Sequence, residues 1–232
     1  MKPDSIIYLV SFAPLFNADC VPIFESFSKE NSQLLYQALI ENHREIVSQQ
    51  PVISPAVFCF DNSDKDLMPL SFLSENTSSF FAGTCEKHNY IKLLAEKYSN
   101  KYSNNLIIFS NSIGISSGDI SKIFNLLAME DETIVIGKSS NSRIAFLGFN
   151  SFNKELFMDI DWNNLNYESL LQIVNKHENF IHVMNNFMLI ENLADFKQLY
   201  AELSKKESLS YCSQQMHEKF THLFIEYKEL LK

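Results

Sequence analysis

The chain has 232 residues, a length suited to one domain with room for an appendage, and 46% of them are hydrophobic and 13% aromatic, enough to fill a substantial core. Its 28 acidic and 19 basic side chains give a formal net charge of −9, its arginines are Arg44 and Arg143, and no basic cluster occurs, so no nucleic-acid partner is expected. Five glycines leave no P-loop and no dinucleotide fingerprint, because a loop that wraps a phosphate needs glycine for close backbone approach.

The first apolar run, Ile6 to Val10, follows Asp4 and is not trailed by a small-residue cleavage site; it is predicted to be a buried strand, not a signal peptide. No apolar segment is long enough to span a bilayer, and the expected location is cytoplasmic. Cys20, Cys59, Cys85 and Cys212 stand at no metal-binding or redox spacing and are expected to be buried or half-buried free thiols. A helix over "KENSQLLYQALIENHREIV" places Leu34, Leu35, Ala38, Leu39, Ile46 and Val47 on one face and ends near Pro51. Pro55 to Phe60 reads as a second buried strand with the polar tip Asp61 to Asp66, and residues 67 to 83 read as irregular. Thr84 is placed as the cap of a helix reaching about Ser99, with Ile91, Leu94, Ala95 and Tyr98 inward.

Leu106 to Phe109 is the next strand, tipped by Ser110-Asn111-Ser112. Ser116 and Asp119 have capping-box spacing and open a helix with Ile120, Ile123, Phe124 and Leu127 inward. "TIVIG" and "IAFLGF" are two closely spaced strands, followed by a helix at about Tyr167 to Lys176 and a strand "FIHVM". Two final helices lie near Leu193 to Leu203 and Leu209 to Leu231. Strands alternating with amphipathic helices define an α/β fold with a mostly parallel sheet covered on both faces. In such sheets ligands sit at the carboxyl ends of the strands, so the tips at Ser11-Phe12, Asp61 to Asp66, Ser110 to Ser112 and Lys138 to Ser142 are expected along one edge.

The segment Leu106 to Trp162, in its order and spacing, resembles the small bacterial nucleotide-diphospho-sugar transferase-like proteins, a family of uncharacterised glycosyltransferases. The resemblance rests on the strand tip Phe109-Ser110-Asn111-Ser112-Ile113-Gly114-Ile115, on Gly137-Lys138, Asn141 to Ile144 and Phe146-Leu147-Gly148, and on Leu156-Phe157 with Trp162, the single tryptophan. "LIENLADFKQLY" adds Glu191 and Asp195 at two acidic positions of the family, and the whole likeness spans roughly Ile6 to Leu203. It implies a GT-A-like, Rossmann-like three-layer sandwich over residues 1–204, with residues 205–232 a helical extension packed on it. It also implies a nucleotide or nucleotide sugar as partner.

This sequence departs from the family where function resides. Asn111 stands where the family has the aspartate that helps hold a divalent metal beside the nucleotide diphosphate. Asn141 replaces the aspartate of the second loop, and Ser142 and Arg143 replace its two glycines. The family's basic N-terminal loop is here "APLFNADCVPIFESFS", with no lysine or arginine and with Asp19 and Glu25. Magnesium and manganese prefer anionic oxygens, so these changes predict loss of metal-assisted transfer, and no cofactor is expected; magnesium or manganese belongs only to a working enzyme.

The cleft candidates are Ser11, Phe12, Asp61, Asp64, Ser110, Asn111, Asn141, Arg143, Trp162 and Glu191. Asp64-Lys65-Asp66 and Asp159-Ile160-Asp161 both match the Asp-x-Asp of GT-A enzymes, a weak signal in so acidic a chain. The histidine pairs His177/His182 and His217/His222 are five apart, which does not place two ligands on one helix face. Three readings follow: a diverged, non-transferring protein that binds a nucleotide or small ligand; an active glycosyl- or nucleotidyltransferase with a rebuilt site; and a scaffold, monomeric or homodimeric, whose last helix offers Met216, Phe220, Leu223, Phe224, Tyr227 and Leu230 to its own domain or to a second copy.

Overall fold

The computed structural model describes residues 4–49, 55–72, 77–82, 87–98 and 101–231. The places expected for Pro51, Thr84, Cys85 and Ser99 lie outside them. Strand β1, Ser5–Val10, is buried along its whole length, and its neighbours are β2, Ala56–Asp61, and β4, Asn104–Phe109, both parallel to it. The remaining strands are β3 (Thr77–Ala82), β5 (Ser112–Ile113), β6 (Thr133–Ser139), β7 (Ile144–Phe149) and β8 (Phe180–Leu189). The order across the eight-stranded sheet is β3-β2-β1-β4-β7-β6-β8-β5. Only β7 and β5 run against the common direction.

Strand alternation sends successive side chains to opposite faces. Ile6, Tyr8, Val10, Ile107 and Phe109 pack on one side with Ile91 and Leu94 of helix α2 (Lys87–Tyr98), Leu156 and Phe157 of α4 (Lys154–Asp159), and Leu170 and Val174 of α5 (Tyr167–Lys176). On the other side Ile7, Leu9, Leu106 and Ile108 meet Ile40, Ile46 and Val47 of α1 (Lys29–Ser48) and Ile120, Ile123, Phe124 and Leu127 of α3 (Ser117–Leu127). This is the expected three-layer α/β sandwich. The capping box forms as anticipated, with Ser116 Oγ accepting from the Asp119 amide and Asp119 accepting from the Ser116 amide.

A third core joins α1 to α6 (Leu193–Leu203) and α7 (Gln214–Glu226) through Leu35, Ala38, Leu39, Phe196, Leu199, Met216, Phe220, Leu223 and Phe224. Tyr227 stacks on Phe27 with ring centroids 3.8 Å apart, and its hydroxyl accepts from the Ser28 amide and the Asn31 side chain at the start of α1. The apolar stripe of α7 is therefore covered by its own chain.

Four features differ from the expectations. The last helix spans only Gln214–Glu226, after a 3-10 turn at Lys206–Ser210, rather than running from Leu209 to Leu231. Residues 77–82 are not irregular but form β3, an edge strand whose "TSSFFA" lacks a clean alternation because only one side is closed by a neighbour. Leu34 is exposed, while Ser32, Asn42 and His43 take buried positions on α1. Cys20 is exposed, whereas Cys59 and Cys212 are buried. Ser32 is satisfied by donating to the Ser28 carbonyl, and Asn42 donates to the Tyr211 carbonyl at 3.0 Å. His43 Nε2 lies 2.8 Å from the Ser112 carbonyl and is its donor, which leaves Nδ1 buried without a partner.

Two tests follow from this packing. Gly137 of β6 faces Phe146 of β7, and a β-carbon there would fall on the buried Phe146 ring, closer than real carbon contacts allow. Gly137→Ala is expected to cost about 2–3 kcal/mol of unfolding free energy, read from urea titrations. Burial holds the His43 imidazole at about 4, well below its ordinary value, since a second ring proton would find no acceptor. The unfolded chain binds that proton more readily, so stability is complete above pH 6.5 and falls as pH drops from 6.5 toward 4. The expected loss is roughly 2 kcal/mol by pH 5, and His43→Gln should flatten that slope.

Candidate functional site

The carboxyl ends of β1, β4 and β8 and the beginning of β7 enclose a cleft of about 270 Å³. Strand pairing extends just past the tips: the Ser11 amide donates to the Cys59 carbonyl at 2.9 Å and the Ser110 amide to the Val10 carbonyl at 2.8 Å. The Ile190 amide donates to the Asn111 carbonyl at 2.8 Å and ties the end of β8 to the tip of β4. Ser11, Phe12, Ser110, Asn111, Arg143, Trp162 and Glu191 all line this space. Its walls are largely apolar. Phe12 and Phe109 lie with centroids 5.8 Å apart, and Trp162 is held by donation from Nε1 to the Phe157 carbonyl at 3.1 Å.

Asp61, Asp64 and Asn141 do not line the cleft. Asp61 caps a short 3-10 turn, accepting from the amide and hydroxyl of Ser63. Asn141 accepts from the Ser139 hydroxyl and braces the turn between β6 and β7. Asp64 is fully buried, and its carboxylate accepts from three successive amides, those of Leu15, Phe16 and Asn17, each at 2.8 Å. Gln33 and Gln37 of α1 donate to the Leu15 and Phe16 carbonyls, so both sides of this loop's backbone are engaged. The loop from Leu15 to Asn17 is thus closed on an internal carboxyl group.

The charged side chains of the cleft are Arg143 and Glu191, and they face each other. One guanidinium nitrogen lies 2.8 Å from one carboxylate oxygen and the second nitrogen 3.0 Å from the other oxygen. Such a two-bonded fork is the strong form of this pair. Asp195 is buried at the start of α6, accepts from the Glu191 amide and receives its own cap from Asn192. Asp159 is taken by Lys176 and His177, which hold its carboxyl below the usual range, and Asp161 folds back on the amides of Asn163 and Asn164.

The cleft therefore offers a magnesium or manganese ion one carboxylate, already bonded to a guanidinium, beside neutral Asn111, Ser110 and Ser11. That donor set does not fit a hard dication, which takes several anionic oxygens. Among the described residues no group of three or more His, Cys, Asp and Glu stands close enough to hold a metal. Tyr36, Leu15, Pro22, Asn163, Leu165 and Leu189 also line the cleft without having been marked in the sequence. The signal for Tyr36 was the Gln33-Tyr36-Gln37 stripe, at helical spacing beside the buried face of α1.

Comparison with solved structures finds the same fold in proteins described as nucleotide-diphospho-sugar and nucleotidyl transferases. A candidate nucleotide-diphospho-sugar transferase from Desulfovibrio desulfuricans G20 superimposes with a TM-score of 0.72 at 14% identity, over 97% of this chain and 99% of that one. The 4-diphosphocytidyl-2C-methyl-D-erythritol synthase of Anaerococcus prevotii gives 0.56 at 11% identity over 87% and 95%. A Mycobacterium tuberculosis protein crystallised with manganese gives 0.50 at 8% identity over 84% and 96%. No protein-family model matches the sequence. No curated protein matches it either. The likeness is one of fold: an α/β, GT-A-like architecture. Among the described residues no helix is long and apolar enough to cross a membrane.

Removing the Asp64 carboxylate would strand the three loop amides it serves. Asp64→Ala is expected to destabilise the chain by about 3 kcal/mol or more in urea unfolding, and Asp64→Asn by less, because its amide oxygen keeps part of the cradle.

Proposed function

We propose that this protein is a diverged nucleotide-diphospho-sugar transferase-like protein that does not carry out metal-dependent sugar transfer and binds a small uncharged ligand of nucleoside type in the strand-tip cleft. The observation that supports this most is the internal use of the groups a diphosphate would need. The loop amides at Leu15, Phe16 and Asn17 are bonded to Asp64, and the Arg143 guanidinium is bonded to Glu191. What lines the rest of the cleft is an apolar and aromatic wall with the neutral polar residues Ser11, Ser110, Asn111 and Asn163, the Ser11 hydroxyl donating to the Ala13 carbonyl. A cleft of about 270 Å³ lies just below the usual range of ligand-site volumes, room for a heterocycle and its ribose rather than for a whole nucleotide sugar.

A ligand that binds only the folded state raises the melting temperature. Titration with uridine, cytidine, guanosine and thymidine is expected to raise it for one of them. The matching diphosphate should add nothing, with or without manganese. A manganese-dependent shift with a diphosphate, or turnover of a nucleotide sugar, would overturn the reading in favour of a working transferase.

A further inference from the structure

The pair Arg143 and Glu191 stands out because it is the cleft's charge and also its neutrality. We propose that Glu191 is the specificity-determining residue of the cleft: its carboxylate occupies the guanidinium face of Arg143 in place of a ligand's phosphate or carboxylate, and so confines the site to uncharged ligands. This inference rests on the proposed reading of the cleft as a ligand site.

Three observations carry it. Arg143 is one of two arginines in the chain and stands in the cleft wall, where among the described residues no other cation lines the space. Its two terminal nitrogens bond the two oxygens of Glu191 at 2.8 and 3.0 Å, the same fork with which arginine grips a phosphate, so an incoming anion finds those donors taken. Glu191 is also placed rather than loosely paired: its amide donates to buried Asp195 at 3.0 Å, and the preceding Ile190 amide donates to the Asn111 carbonyl at 2.8 Å. The backbone on which Glu191 sits is thus fixed to the tip of β4 and to the start of α6. Both side chains remain partly open, 35% exposed for Arg143 and 29% for Glu191, so a ligand in the cleft reaches them. An anion arriving there meets a negative charge in front of a guanidinium whose two terminal nitrogens are already bonded and whose Nε is buried, whereas a neutral ligand meets a group of no net charge.

The test uses the full-length chain, Glu191→Gln, Glu191→Ala and the double variant Arg143→Met/Glu191→Gln, with inorganic phosphate titrated at constant ionic strength by thermal shift and calorimetry. Two single variants are run so that a folding defect in one does not decide the outcome. The expected result is phosphate binding roughly tenfold tighter in both Glu191 variants than in the parent chain, and its loss in the double variant. An equal response of parent and Glu191 variants, or a gain that survives loss of Arg143, overturns the proposal. Uridine and the other nucleosides are titrated on the same samples. A gain for phosphate with no response to any nucleoside would leave Glu191 as the charge selector and sink the nucleoside reading alone.

Discussion

Burial of both faces of β1 and β4 is the constraint from which the rest of the molecule follows. All six residues of β1 are buried, and the five residues from Asn105 to Phe109 are buried beside them. A strand packed on both sides can show solvent only its end. Parallel pairing brings those ends to one edge, where they are joined by the ends of β2, β6 and β8. The reversed strand β7 sits between β4 and β6, so its first residue, Ile144, lies at that same edge. This is why Arg143, which is distant in sequence from Ser11 and Asn111, shares their cleft.

A chain with net charge −9 could be expected to have an acidic cleft, and this one does not. Its carboxylates near the strand tips are turned toward their own backbone or toward a cation. Asp64 binds loop amides, Asp119 completes a cap, Asp195 holds the Glu191 amide, and Glu191 itself faces Arg143. The Asp64 and Asp195 carboxyl groups satisfy backbone donors of the loops at the strand tips, so the local folding of the loops and the chemistry of the cleft are set by the same bonds. Fixing the loop at residues 15–17 also fixes Leu15 in the cleft wall, with Phe16 packed edge-on against Phe60 and Phe72.

How much of this was legible depended on the kind of signal. Apolar runs bounded by polar tips located β1, β2, β4, β6 and β7, and helical spacing located α3 and α5, because burial on a regular element leaves a period in the sequence. The edge strand β3 left no such period: its serines lie half-exposed, and β-structure there comes from pairing with β2 rather than from a buried face. His43 and Asn42 read as polar positions of α1, yet both are buried, since the helix is wrapped by β5 and by the last helices from sides that its own sequence does not reveal. Within the site, Ser11, Ser110 and Asn111 followed from strand ends alone. The inward turn of Asp64 did not, because it depends on a 3-10 turn after β2 and on a loop 47 to 49 residues away in the chain.

The departures from the resembled family are coupled in space. Asn111 at the tip of β4 is bonded through its carbonyl to Ile190, which precedes Glu191, and Glu191 is in turn committed to Arg143. An aspartate at position 111 would therefore stand beside a carboxylate that is already neutralised, across from a loop whose amides are already filled by Asp64. A metal and a diphosphate need all three elements available together, since each anionic oxygen or free amide contributes only part of the charge balance. On the proposed reading this explains why the fold persists without the transfer chemistry. On that same reading, the bonds that close the cleft to a charged ligand are the ones that hold its walls in place.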